Sequence, residues 1–270
     1  MLKQRILTAI ILIPVFIFLV LKLSPPAFGI LTVLVVIWGA MEWSSLMEVQ
    51  QFPKNLIYPI LMVFVLWTML FVPILYVLYS ALVGWLIAAV LVLRYPDLAS
   101  VWGKGVVLRG LMGFFVLVPC WLAVNFIRNA DNGTYILLFL FILIWGADSG
   151  AYFIGKKWGK SKLAHSVSPG KSWQGLLGAL MTTSIIALIS LYGFHIPYRI
   201  WLPALVLSFI TVLFSVLGDL FESMLKRNAG LKDSGHLLPG HGGILDRIDS
   251  LTAAAPIFAL GALWLGEIYR

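Results

Sequence analysis

The chain has 270 residues, of which 61% are hydrophobic and 11% charged, against about a quarter charged in a soluble domain, and its mean hydropathy is +1.00. So few charges cannot cover a water-soluble globule, which excludes an ordinary soluble fold and leaves one integral membrane unit. The net charge of +8 suits loops facing an anionic leaflet or anionic substrates, and no nucleic-acid partner is expected in so apolar a chain.

In chain order, Lys3 and Arg5 precede an apolar run that lacks a convincing small-residue cleavage site, so residues 5–21 read as a first span rather than a signal peptide. Further runs able to cross a bilayer, which takes about 20 helical residues, follow at 27–43, 55–72, 74–93, 107–127, 134–154, 173–193, 200–220 and 251–266. Residues 55–94 would make roughly 60 Å of helix, twice a hydrocarbon core of about 30 Å, so Pro73 must divide them. The expected fold is an all-α polytopic integral membrane protein of about nine transmembrane helices. Cys120 is the single cysteine and lies in an apolar run, which excludes an intrachain disulfide and a cysteine metal cluster.

Alternation through nine spans puts 15 basic residues on one side: Lys3, Arg5, Lys54, Arg94, Lys104, Arg109, Lys156, Lys157, Lys160, Lys162, Lys171, Lys226, Arg227, Lys232 and Arg247. Lys22, Arg128, Arg199 and Arg270 fall on the other. The positive-inside rule then makes the N-terminus cytoplasmic and places the C-terminus on the opposite side. Residues 1–130 are expected to supply scaffold, lipid access and dimer contacts. Residues 131–270 carry the chemistry, with cytoplasmic loops at 155–172 and 221–250. Small residues of the last span, Ala255, Ala259, Ala262 and Gly266, suit helix packing or a homodimer.

The polar residues gather in that second half. A carboxylate at the centre of a spanning helix costs roughly 2.5–3.5 kcal/mol on insertion scales, so Asp148, in the segment Trp145 to Tyr152, faces either a polar cavity or, by snorkelling, the interface. Five lysines lie in the sixteen residues from Lys156 to Lys171. They suit phosphate, whether of a nucleotide or of a lipid headgroup, with Lys171 in a Ser-Pro-Gly-Lys turn leading into a helix. Gly170 to Ser172 is not a Walker A loop, because His165 stands where that loop needs glycine.

Asp219, Glu222, Ser223 and Lys226 recur at helical spacing along one face. A glycine-rich loop follows, whose backbone N–H groups could approach an anion closely. Asp246 and Asp249, three apart, begin the last helix, either as ligands or as acids beside the helix dipole. Hard oxygen donors without cysteine suit Mg²⁺ or Mn²⁺, with room for a second cation, and not zinc. His236 and His241 serve loop hydrogen bonds or a substrate contact.

Residues Ser223, Leu225, Lys226, Arg227, Lys232, Asp233, Gly235, Leu238, Pro239, His241, Gly242, Gly243, Ile244, Asp246, Arg247, Ile248 and Asp249 together resemble the signature of the phosphatidate cytidylyltransferases, or CDP-diacylglycerol synthases. The likeness extends to 145–152 and 168–173; Gln174 departs from it, standing where many members carry glutamate. The resemblance implies transfer of CMP from CTP to phosphatidic acid, giving CDP-diacylglycerol and pyrophosphate, with a divalent metal and homodimeric assembly.

On that footing Asp219 and Asp246 are expected as primary metal ligands, with Asp148 and Asp249 as further ligands or groups behind them. Lys171, Lys226, Arg227, Lys232 and Arg247 are expected on phosphates, joined by Ser223, His241, Gly242 and Gly243 in the nucleotide-binding set. The catalytic set is Asp219, Asp246, Lys226 and Asp249. Other CTP-dependent lipid enzymes, a polyprenol or dolichol kinase or an ether-lipid cytidylyltransferase, share these requirements; a transporter fits poorly, because the acids lie towards one side rather than at the midplane. The sidedness predicts that a reporter fused to the C-terminus is active only outside the cytoplasm; cytoplasmic activity of that fusion would overturn it.

Overall fold

A computed structural model describes residues 2–49, 51–103, 105–237, 240 and 242–268. Every predicted span falls on a helix, as it must where backbone groups cannot bond to lipid and have to pair within the segment. The helices are α1 (Leu2–Lys22), α2 (Pro25–Leu46), α3 (Ile57–Met69), α4 (Ile74–Leu93), α5 (Ala99–Trp102), α6 (Val106–Asn129), α7 (Gly133–Trp158), α8 (Trp173–Gly193), α9 (Tyr198–Asn228) and α10 (Leu245–Ile268). Seven of them, α2, α4 and α6 to α10, are long and apolar enough to cross a membrane, and Ile10–Lys22 and Lys54–Met69 are shorter apolar helices. The chain is therefore an all-α polytopic membrane protein. One antiparallel hairpin, β1 (Lys162–Ala164) with β2 (Ser168–Ser172), joins α7 to α8.

Three boundaries differ from those read from hydropathy. α7 continues past 154 to Trp158, α9 continues past 220 to Asn228, and α10 begins at Leu245 rather than at 251. The cause is that a helix does not end where it leaves hydrocarbon: polar side chains outside the core keep the same backbone bonds. The second loop accordingly shrinks from 221–250 to 229–244. The segment expected as a turn into a helix at Lys171 is instead strand β2.

The centre of the bundle is formed by α6 and α10, the two spans with the largest buried share. α10 packs on α9, α6 and α4, and Ala253, Ala254, Ala255 and Ala259 on it are fully buried. The small residues Ala255 and Ala259, expected at packing or dimer contacts, are thus used inside the chain; their small volume lets the central helix approach its neighbours on several faces.

α7 and α8 form the most extensive helix pair through glycine. A Cβ on Gly178 would stand 2.6 Å from the Gly150 carbonyl oxygen, and one on Gly150 would meet that of Gly178 at 2.7 Å.

Contacts sort the helix ends. The C-terminal end of α2 meets the start of α6, where Trp43 Nε1 donates to the Arg109 carbonyl at 2.9 Å and Arg109 Nη1 donates to the Leu46 carbonyl at 2.9 Å. Arg109 also binds Glu48 at 2.8 Å, and this hydrogen bond with its charge holds the Glu48 carboxyl below the usual carboxylate range. The end of α9 and the start of α10 lie at this same end of the bundle, because Glu42 of α2 bonds Leu245. At the other end Arg128 donates to the Leu23 carbonyl at 2.8 Å.

The glycine contact yields a test. Gly150→Val should destabilise the protein by about 1–3 kcal/mol through overpacking, read as a lowered unfolding midpoint in detergent. An unchanged midpoint would show that α7 and α8 do not need this approach.

Candidate active site

The hairpin, the end of α9 and the start of α10 bring together the two polar segments that are far apart in sequence. The hairpin is fixed first. Ser172 caps α8, its Oγ accepting from the Gly175 N–H at 3.1 Å. Gln174 Oε1 accepts from the N–H groups of Lys160 and Ser161 at 3.1 and 3.2 Å, tying the entrance of the hairpin to the helix it precedes. The side chain at 174 therefore serves as a double acceptor for backbone, a task that either an amide or a carboxylate oxygen can perform.

Lys171 on β2 reaches α9, its Nζ 2.7 Å from Asp219 Oδ2, with both side chains partly exposed. Asp219 Oδ1 also accepts from Ser223 Oγ at 3.2 Å, one turn on. Asp148, exposed on α7, lies in the field of Lys171, Asp219 and Arg247. Asp249 feels the charges of Asp219, Lys171 and Lys226, and its Oδ1 accepts from the Ser250 N–H at 2.7 Å. Four predicted residues, Asp148, Lys171, Asp219 and Asp249, thus share one electrostatic neighbourhood.

A second, drier group lies beside it. Lys226 is buried between Glu222 at 3.2 Å and Asp246 Oδ1 at 2.5 Å. Asp246 Oδ2 accepts from the Ser234 N–H at 2.9 Å, from Ser234 Oγ at 3.0 Å and from the Gly243 N–H at 2.8 Å. Lys226, expected on phosphate, is in this arrangement engaged by two carboxylates, because burial makes an unpaired ammonium far costlier than an unpaired one at the surface.

Gly242 and Gly243 also have an internal anion to serve. Gly242 has φ +78°, and a Cβ there would stand 2.6 Å from Asp246 Oδ2. The backbone approach to an anion expected of this loop is made, and the anion is Asp246.

The remaining expected residues are more peripheral. Lys232 and Arg247 are exposed at the loop and the first turn of α10. Arg227 Nε points to the Val167 carbonyl of the hairpin turn at 3.5 Å. His241 lies outside the described residues, as do Lys104 and Arg270.

One participant was not anticipated. Glu42, near the end of α2, is buried, its Oε1 accepting from the Ile244 N–H and its Oε2 from the Leu245 N–H, both at 2.9 Å, and from Ser234 Oγ at 3.1 Å. The signal was present: the insertion cost that singles out Asp148 applies equally to an acid in an apolar run at 42.

Could these donors hold a metal? Among the described residues no group of three or more His, Cys, Asp and Glu is close enough to form a ligand set by itself. Mg²⁺ does not require one, since it keeps several waters and commonly takes one or two carboxylates with substrate phosphates. Asp219, whose charge acts on Asp148 and Asp249 and which pairs with partly exposed Lys171, fits that chemistry. Asp246 has only Oδ1 to offer, with Lys226 already 2.5 Å from it, because Oδ2 meets the Ser234 and Gly243 N–H groups and shares the Ser234 hydroxyl.

A large apolar cavity of about 510 Å³ lies elsewhere, between α7, α8 and α9 near Asp131, Tyr135 and Phe194. It lacks a converging set of charges, so the ionic clusters mark the candidate site rather than this hollow.

Paired burial at Lys226 makes a prediction. Lys226→Met should cost roughly 3–5 kcal/mol by stranding Glu222 and Asp246, measured as a fall in the denaturation midpoint of the detergent-solubilised chain; an unaltered midpoint would mean that the carboxylates do not depend on it.

Residues 3–264 match the model of the cytidylyltransferase family. The chain is 43% identical over 266 residues to a phosphatidate cytidylyltransferase of Pseudomonas aeruginosa, covering 98% of this chain and 97% of the relative. It is 40% identical over 289 aligned residues to one of Haemophilus influenzae, covering 96% and 98%, and 34% identical over 268 to one of Bacillus subtilis, covering 94% and 95%. The chain belongs to the cytidylyltransferase family.

Proposed function

We propose that this member of the cytidylyltransferase family is a nucleotidyltransferase that moves CMP from CTP to phosphatidic acid, releasing CDP-diacylglycerol and pyrophosphate, in membrane phospholipid biosynthesis. The observation that carries the proposal is similarity, over nearly the whole chain, to relatives named for that activity. The placement of the ionic clusters at the ends of apolar helices fits it: diacyl tails stay in the bilayer while the phosphate reaches headgroup level.

The chemistry asks for little beyond positioning and charge. A phosphatidate oxygen forms the new bond to the α-phosphorus, the bond from that phosphorus to the β-bridging oxygen breaks, and pyrophosphate leaves with the electron pair. The attacking phosphate is already largely anionic near neutral pH, so no strong base or covalent nucleophile is needed. The obstacle is mutual repulsion of two polyanions, which preorganised cations lower by holding them in line.

In this reading Lys171 exchanges Asp219 for a phosphate, and Arg247 and Lys232, exposed at the mouth, attract the triphosphate. Arg227 braces the hairpin, and Ser223 orients Asp219. Lys226 holds Asp246 in place. Asp219, with Asp246 through its Oδ1 and with Asp148 and Asp249 nearby, would hold Mg²⁺ or Mn²⁺. Such an ion supplies charge neutralisation of the triphosphate. The reading also places the site on the cytoplasmic face of a bacterial inner membrane, where CTP is available, and takes the working form as a homodimer.

Purified protein given CTP labelled at the α-phosphorus, phosphatidic acid and Mg²⁺ should place the label in chloroform-soluble lipid, and Asp219→Asn should lower kcat/KM on the order of 100-fold. Label reaching lipid only from the γ-phosphorus would replace the proposal with a lipid kinase. Full activity of Asp219→Asn at limiting Mg²⁺ would remove that residue from the metal role.

A further inference from the structure

Glu42 lies in the N-terminal half, whose sequence carries no motif, yet its carboxylate reaches the loop beyond α9 and the first residue of α10. Both its oxygens are occupied by that segment: Oε1 by the Ile244 N–H, Oε2 by the Leu245 N–H and Ser234 Oγ. The loop is shaped to admit it. A Cβ on Gly235 would stand 2.6 Å from Glu42 Oε1, and one on Gly243 would collide with the Glu42 and Ser234 side chains.

The same loop residues hold Asp246. Ser234 Oγ lies 3.1 Å from Glu42 Oε2 and 3.0 Å from Asp246 Oδ2, and a hydroxyl has a single proton to donate, so it joins the two carboxylates as an alternating donor. Ser234 and Gly243 supply the N–H groups to Asp246, while Ile244 and Leu245 supply those to Glu42. Neither carboxylate can move without disturbing donors adjacent to those of the other.

Glu42 is itself held from behind. One turn further along α2, Arg109 of α6 binds the Leu46 carbonyl, and Trp43 binds the Arg109 carbonyl. The path runs from α6 through the end of α2 to the loop and Asp246.

We propose that Glu42 is a positioning residue for the transfer reaction: from α2 it fixes Ser234 and the backbone at Ile244 and Leu245 and, through them, the orientation of Asp246. It touches no reacting atom. The proposal rests on the assignment of CMP transfer to this site.

The test uses the full chain in detergent or nanodiscs, with Glu42→Gln, Asp246→Asn and the double variant. Glu42→Gln keeps one acceptor oxygen but turns an N–H₂ towards backbone donors, so kcat/KM should fall roughly 10- to 100-fold, as small displacements of reacting groups do. In the Asp246→Asn background the same change should cost less than about threefold, because coupled residues are not additive. Amide hydrogen exchange should quicken in residues 232–247 and stay unchanged in α4 and α7.

Three results would overturn the proposal: unchanged kcat/KM in Glu42→Gln, an undiminished loss in the Asp246→Asn background, or exchange accelerated throughout the chain, which would make Glu42 a general packing residue. If the parent protein lacks CMP transfer, the reaction assignment fails, while the exchange pattern still decides whether Glu42 anchors the loop.

Discussion

A carboxylate buried at the edge of a membrane must find donors within the protein, and that requirement shapes the loop between α9 and α10. Glu222 and Asp246 flank one ammonium, that of Lys226, and Glu42, buried beside the same loop, shares the Ser234 hydroxyl with Asp246. Lys226 meets only Oδ1 of Asp246 beside Glu222, so this cation by itself does not satisfy the carboxylates of Asp246 and Glu42. The remainder falls to backbone N–H groups of Ser234, Gly243, Ile244 and Leu245. The last of these begin α10, where unpaired donors and the helix dipole favour negative charge. Glycine at 235, 242 and 243 follows from the same need, since a side chain there would occupy the space that a carboxylate oxygen takes.

The hairpin answers a different requirement. Lys171 and Asp219 come from segments with no local reason to meet, and each is partly exposed. A surface ion pair of this kind contributes little stability, about 0–1 kcal/mol, so its partners can be exchanged for a ligand at small cost. The hairpin is held from beneath by Ser172 capping α8 and by Gln174 binding its entrance, which leaves the lysine's long stem to span the distance to Asp219.

Much of this was legible in the sequence, and the misses have physical causes. Spans were found because bilayer burial demands long apolar runs, which hydropathy measures directly. The ends of α7, α9 and α10 were misplaced because hydropathy reports immersion, whereas a helix ends where its backbone bonding ends; Lys226 is helical and polar at once. Asp148, Asp219, Asp246 and Asp249 stood out by charge in an apolar chain. Glu42 had the same signature but sat alone, 202 residues before its partner Ile244, and no local pattern can reveal a contact of that separation. The alanines of α10 show the complementary limit: small residues announce close packing without saying whether the neighbour is the same chain or another.

The two groups of charges therefore divide the work by burial. The carboxylate oxygens of Asp246 and Glu42 are each matched by a donor, and a matched group in a poorly polarisable setting resists displacement, which suits a frame that holds geometry. Around Lys171 the charges are partly exposed and of both signs, which suits groups that exchange partners at small cost. Asp246 divides its two oxygens: Oδ2 is committed to the loop, and Oδ1 to Lys226. A displacement of the loop would turn that oxygen away from Lys226. The C-terminal half of the chain thus depends on α2, because the helix that bears no motif holds the loop that bonds Asp246.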